Sequence, residues 1–474
     1  MRERVRTMRR RAGVVGLGLG LGLGLVVVTG CGGETGTIAL SLATAPGSHV
    51  LDGVTTARLT LSSPRQEVVA TRGPDGAFRL ALDVPADGPS ANVTFEGLDA
   101  GGALVAYGCS GILPIAAIDA NVAIYVAPPG SLAAAPVPLD RPRSESGTAD
   151  FAFGVLIAGG RDGNGAASAA VDVYDVYSHR LQHGLDLPAA RRAPTVAAGV
   201  SGYAYVLGGA DAGGAPTGTL WRFDTTVAPS GAYQTLADVA ALARVGAQAA
   251  TVRPEAFVVT GTPPAIIDGV SGTVTALPDT VPMQGTASSV TTDDGMIAVV
   301  AGAGTGTRGL ARVTTAGVTD EAAPAGTART GHGAAVGRDD VITLVGGAIG
   351  DALATTAVRI DPASRLYTEL DAGLVTPRRD AAVAQIGAHI LVAGGVDGEG
   401  HVRADAEVLD ARTLAHVATL PLVAARTGAT AHVLASGHVL IVGGVDGDGA
   451  PVAALELFTP DPSAFEGGAV GCGR

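Results

Sequence analysis

Between residues 37 and 126 apolar and polar positions alternate in short runs: "TIALSLAT" from 37, "ARLTLSS" from 57, "EVVATRG" from 67, "FRLALDV" from 78, "NVTFEGLD" from 92, "LVAYGCS" from 104 and "VAIYV" from 122. Period-two alternation is what a half-buried strand requires, because successive side chains leave opposite faces of the backbone. The intervening "APGS", "GPDG" and "PADGPS" supply the proline, glycine and aspartate of tight turns. Strands at this spacing within residues 37–130 predict an N-terminal β-sandwich, and immunoglobulin-like topology is one arrangement that fits. The stretch "APPGSLAAAPVPLDRPRSESG" at 127–147 breaks the alternation and marks a domain boundary, with residues 131–147 as linker.

Beyond the linker the pattern changes to a long repeat. Apolar runs ending in a pair of small residues close at Gly160, Gly209, Thr262, Gly302, Gly347, Gly395 and Gly444, 40 to 53 residues apart. An arginine precedes most of them, at Arg143, Arg192, Arg244, Arg329, Arg379 and Arg426, and a further strand follows, as in "AAVDVYDVYSHRL", "ADAEVLDARTL" and "AALELFTP". A unit recurring at this interval cannot bury its apolar face alone and must stack on its neighbours.

This unit resembles the kelch repeat: a strand introduced by arginine, a second ending in a double glycine, a third with a "vevyD" pattern, and a fourth leading to the next arginine. The resemblance covers residues 143–460 and implies an all-β chain whose residues 148–462 form a seven-bladed kelch-type β-propeller, followed by a tail at 463–474. Gly261-Thr262 and Ala301-Gly302 have each lost one glycine of the pair, which leaves the blade boundaries within 254–330 unassigned. The last blade needs a fourth strand, and both "SAFEGGAV" from the tail and "LAAAPVPLD" from the linker fit, with the linker favoured.

In a four-stranded antiparallel blade the starts of strands one and three share a face with the ends of strands two and four. Arg192, Arg244, Arg329, Arg379 and Arg426 are therefore candidate ligand-face residues around a channel mouth, with Asp162, Asp211, Asp397 and Asp446 on turns outside them. Such guanidiniums can grip an anionic ligand bidentately. Equally, an arginine that recurs with the repeat can be a structural staple pairing with an acid or a carbonyl.

The acidic loops "GGVDGEG" at 394–400 and "GGVDGDG" at 443–449 offer two carboxylates each and no glutamate in the twelfth position of a calcium loop. Asp-Gly suits a hairpin turn instead, so neither a metal nor a cofactor is expected.

No catalytic residues emerge. Zinc-protease and serine-hydrolase motifs are absent, and His332, His389, His432 and His438 are expected to be core or channel-lining residues. The kelch resemblance extends to galactose oxidase and to periplasmic sialic acid mutarotases, which keeps an enzyme acting on a small carbohydrate as the alternative. Trp221, the one tryptophan, offers little surface for sugar stacking.

The chain opens with basic "MRERVRTMRRR", an apolar stretch, then Val28, Thr29, Gly30 and Cys31. The basic and apolar segments have the character of a secretory leader over residues 1–30. The last four residues resemble the lipobox of bacterial lipoproteins, which implies cleavage after Gly30, lipid attachment at Cys31, a tether at 31–36, and an envelope location, the outer membrane in a Gram-negative cell. Cys109 and Cys472 are then an even pair in an oxidising compartment, which reads as a disulfide; two buried thiols are the alternative.

All 31 basic residues are arginine, against 44 acids, for a formal charge of −13 at pH 7. That excludes nucleic acid as a partner. The reading that follows is a membrane-anchored binding or scaffold protein presenting a loop face to a protein or glycan ligand, with a structural envelope component as a further alternative.

Overall fold

The computed structural model describes residues 26–27, 39–80, 90–112, 121–227, 231–277, 282–293 and 295–465. Gly30, Cys31, Cys472, and the expected leader, tether and tail, except Val26–Val27 and residues 463–465, lie outside them. The fold is all-β, and the helical segments among the described residues are single turns at Ala240–Leu242, Ala325–Thr327 and Pro462–Ala464.

The N-terminal unit is one sheet. Its strands lie side by side in the order Val26–Val27, Ala39–Ala43, Asn121–Ala127, Leu104–Cys109, Val93–Leu98, Thr56–Ser62 and Arg65–Thr71. Ala39–Ala43 runs parallel to Asn121–Ala127, and the other pairs are antiparallel.

Alternation works as the sequence suggests: Leu59 and Leu61, Val93 and Phe95, and Val122, Ile124 and Val126 all project into one core, covered by Val54, Phe78 and Leu80. Burying each large side chain there contributes about 1.5–3 kcal/mol. The strands expected to form a β-sandwich are hydrogen-bonded continuously in one sheet, not in two separate ones. Alternation reports which face is buried, not how many layers cover it. Phe78 and Leu80, expected in a strand, are buried outside any strand, and residues 81–84 of that run lie outside the described residues.

Among the described residues the repeat region forms seven antiparallel sheets of four or more strands, besides two two-stranded pairs, Arg143–Ser144 with Arg161–Asp162 and Arg378–Arg379 with Val396–Asp397. Residues 147–183, 195–238, 249–276, 286–320, 330–371 and 382–421 each give four strands in chain order, with a short extra strand at Ala352–Leu353. The seventh takes three strands from 427–459, and its fourth is Ser131–Ala134 from the linker, antiparallel to Glu456–Thr459. Both sheets within 254–330 are complete despite the altered doublets.

The first strands of successive sheets lie against one another: Gly147–Phe151, Thr195–Ala198, Ala249–Arg253, Thr286–Thr292, Thr330–Val336, Ala382–Ile386 and Thr427–Val433. The last of these also touches the first. The second strands are the most buried, as at Gly154–Ala158 and His389–Ala393, whereas fourth strands such as His416–Pro421 are largely exposed.

The double glycine has a steric cause. In the five intact doublets both residues have positive φ, from 62° at Gly159 and Gly208 to 111° at Gly160. A Cβ on Gly159, Gly208, Gly346 or Gly394 would lie 2.3–2.7 Å from the carbonyl oxygen of Arg191, Arg244, Arg378 or Arg426, so only glycine lets the next repeat approach.

The two units meet through the outer face of Asn121–Ala127. Tyr125, Tyr174, His179 and His438 are buried together there. His179 Nε2 accepts from the Tyr125 backbone N–H at 3.2 Å, its Nδ1 lies 3.0 Å from the Tyr174 hydroxyl, and the Tyr125 hydroxyl donates to the Ala134 carbonyl at 3.0 Å. Burial lowers the pKa of His179 to about 3 and that of His438 to about 4, so both are neutral at pH 7.

Candidate functional site

The recurring arginines separate into two groups. Arg143, Arg329, Arg378 and Arg426 are at most 1% exposed, and Arg191 is also buried. Each of the first four turns its guanidinium onto the doublet carbonyl of its own sheet: Arg143 Nε to Gly159 at 2.8 Å, Arg329 to Gly346 at 3.1 Å, Arg378 to Gly394 at 3.2 Å and Arg426 to Gly443 at 3.3 Å.

Three also meet a buried acid on the third strand, each at 2.5 Å: Arg143 with Asp172, Arg378 with Glu407 and Arg426 with Glu456. Two of those acids also reach the loop ahead of the arginine: Glu407 accepts from the backbone of Val375 and Thr376, and Glu456 from that of Val423. Burial drives the Glu456 pKa upward against the pull of Arg426. Asp172 is also penalised by burial, but hydrogen bonds from Arg141 and the charge of Arg143 hold it below the ordinary carboxylate range. Arg244 is half-buried and spends its donors on the carbonyls of Thr260 and Pro263 at 2.7 and 2.9 Å.

The expected ring of ligand-facing guanidiniums is therefore corrected. Arg329 and Arg426 are buried staples, and Arg244 is committed to backbone. Arg192 and Arg379 are exposed, but each is one residue out of register with a buried arginine, Arg191 and the staple Arg378. They pair at 2.6 Å with Glu145 and Asp380. The Arg-Arg doublets at 191–192 and 378–379 hid the register from sequence spacing. Arg191 instead lies 4.5 Å above the Trp221 ring.

The aspartates of the four glycine-rich loops share one geometry. One oxygen of Asp162, Asp211, Asp397 and Asp446 accepts from the backbone N–H groups two and four residues on, all at 2.9–3.0 Å. A carboxylate used this way closes its own turn. Among the described residues, Asp140, Asp172 and His183 are grouped closely enough to suggest metal ligands. However, Arg141 and Arg143 occupy the two oxygens of Asp172 at 2.5 Å, which makes the group a charge-compensated ion network.

Two concavities lie among the first strands. One, of about 830 Å³, is lined by residues from all seven sheets, including Thr148, Asp150, Thr251, Ser289, Gln385 and His432. The other, of about 630 Å³, is lined by the segments that enter the first strands, including Gln248, Gln284, Thr330, His332 and Asp380. His332 is buried with Nε2 2.9 Å from the Thr286 hydroxyl, and burial beside Arg329 lowers its pKa to about 4.

In the larger cavity His432 Nδ1 lies 2.5 Å from Asp150 and its Nε2 lies 2.8 Å from the Thr430 hydroxyl. His432 was expected to line the core or channel. Its partners were not legible, because Asp150 is far away in the chain. Cys109 is disulfide-bonded, and its partner lies outside the described residues.

Comparison with protein-family models and with curated proteins finds no match.

Proposed function

We propose that the seven sheets close into a seven-bladed, kelch-type propeller, carried on a lipid anchor at Cys31 outside the cytoplasm, and that this propeller binds a small polar ligand in its central channel. The observation that carries the reading is the cavity of about 830 Å³ to which every sheet contributes and whose walls mix Thr148, Asp150, Thr251, Ser289, Gln385 and His432 with small apolar residues. That size and mixture suit a ligand oriented by a few polar groups. Contact between Gly147–Phe151 and Thr427–Val433 supports ring closure, and the linker strand at Ser131–Ala134 supports a latch. Closure leaves no unpaired sheet edge at the junction. The loop face is the weaker binding surface, because its recurrent arginines and aspartates are spent on structure.

Full-length protein extracted from its native envelope and then denatured should release a small molecule detectable by mass spectrometry. Ser289→Phe, which fills the channel, should release none. Equal release from both proteins would sink channel binding, and a mature N-terminus lacking acyl groups on Cys31 would sink the anchor.

A further inference from the structure

We propose that Thr430 is a nucleophile activated by His432 and Asp150, and that the channel hydrolyses small carboxylic esters. The inference rests on the channel being the ligand site. Period two places Thr430 and His432 on the same face of Thr427–Val433, and Thr148 and Asp150 on the same face of Gly147–Phe151. The two faces meet where the first and last sheets adjoin.

Asp150 contacts Nδ1 of His432 at 2.5 Å and so favours the tautomer with its proton there, which leaves the Nε2 lone pair 2.8 Å from Thr430 Oγ1. A hydroxyl, a base in reach of it, and a third group orienting the base together form the arrangement of an activated oxygen nucleophile. The Thr148 hydroxyl lies 3.5 Å from Thr430 Oγ1 and can turn its proton toward a neighbouring carbonyl oxygen. His432 also lines the cavity with Ala149, Val196, Ala197, Ala250 and Val383, a wall suited to a short acyl chain.

The chemistry balances without a cofactor. Thr430 Oγ1 bonds to the ester carbonyl carbon as its proton passes to His432 Nε2. The ester C–O bond then breaks, and the departing alcohol takes that proton. Water attacks the acyl-threonine and gives its proton to His432, which returns it to Thr430 as the acid leaves. The sum is ester plus water giving acid plus alcohol.

The test uses the full-length chain in detergent with p-nitrophenyl acetate. The expected result is a burst of p-nitrophenolate and one acetyl group on the Thr430 peptide. Turnover should fall by about 100-fold or more in Thr430→Val and His432→Gln, in line with the loss of nucleophile or general base, and persist in Thr430→Ser. No burst, an adduct elsewhere, or full activity in Thr430→Val overturns the proposal, including in favour of a purely structural latch between the two strands. Loss of the Thr430 adduct in Ser289→Phe ties the reaction to the channel. An adduct that survives Ser289→Phe but not Thr430→Val overturns the channel reading while leaving the nucleophile intact, and absent chemistry with retained ligand release does the reverse.

Discussion

Moving from pH 8 to pH 5 should cost the folded chain about 4 kcal/mol through His179 and His438 alone. Both are buried at the contact between the two units, their rings 6.4 Å apart, and burial holds their pKa values at about 3 and about 4. In the unfolded chain each titrates near 6.5. Above that value both states are neutral and the histidines add no pH dependence. As the pH falls below it, the unfolded chain takes up two protons that the folded chain refuses, so stability declines until the folded values are reached. At pH 5 the gap is about 1.5 pH units per histidine, and at about 1.4 kcal/mol per unit each contributes about 2 kcal/mol.

The perturbation is the pair His179→Asn and His438→Phe. Asparagine tolerates the positive φ of 50° at position 179, and phenylalanine replaces a ring whose Nε2 has no hydrogen-bond partner. Urea unfolding followed by Trp221 fluorescence at pH 8, 7, 6 and 5 should show the double variant losing about 4 kcal/mol less than the parent over that range. Equal losses would refute the assignment of neutral, buried histidines to this contact.

Two further outcomes follow from the staples and loops. Arg378→Met should cost about 3–5 kcal/mol, because it leaves Glu407 buried without its counter-charge, whereas Arg379→Met, at an exposed pair, should cost less than about 1 kcal/mol; urea midpoints of the two variants decide the register. Asp446→Ala should speed hydrogen exchange at the Asp448 and Ala450 amides that its carboxylate caps, without shifting the global unfolding midpoint.

Strand positions were largely legible because alternation and doublet spacing are local. The runs around "VLIAGG", "ITLVGG" and "VLIVGG" all became buried second strands, and the doublet glycines take the positive φ that the pattern demands. What sequence withheld depended on three-dimensional partners. The spacing of arginines resembled a ring of ligand contacts until the acids Asp172, Glu407 and Glu456, each on a third strand, appeared as their counter-charges. The choice between Arg378 and Arg379 turned on which residue enters the pleat facing inward, and adjacent identical residues carry no signal about that. Asp150 reaches His432 and Thr430 only because the first and last sheets are neighbours, a relation between chain segments that no local pattern encodes.

The strand at Ser131–Ala134 has a consequence for the order of folding. It leaves the ribosome before any of the other strands of the repeat region, yet its partner Glu456–Thr459 follows all the other described strands of that region. Throughout synthesis it remains an open edge that a neighbouring nascent chain can pair with. Joining the two ends requires a loop almost as long as the repeat region, but the entropy of closure grows only logarithmically with length, and folding of the intervening sheets shortens the effective gap. The final pairing is thus expected to be a late kinetic step, and a chain truncated before Glu456 should accumulate as swapped or aggregated species rather than as a slightly smaller monomer.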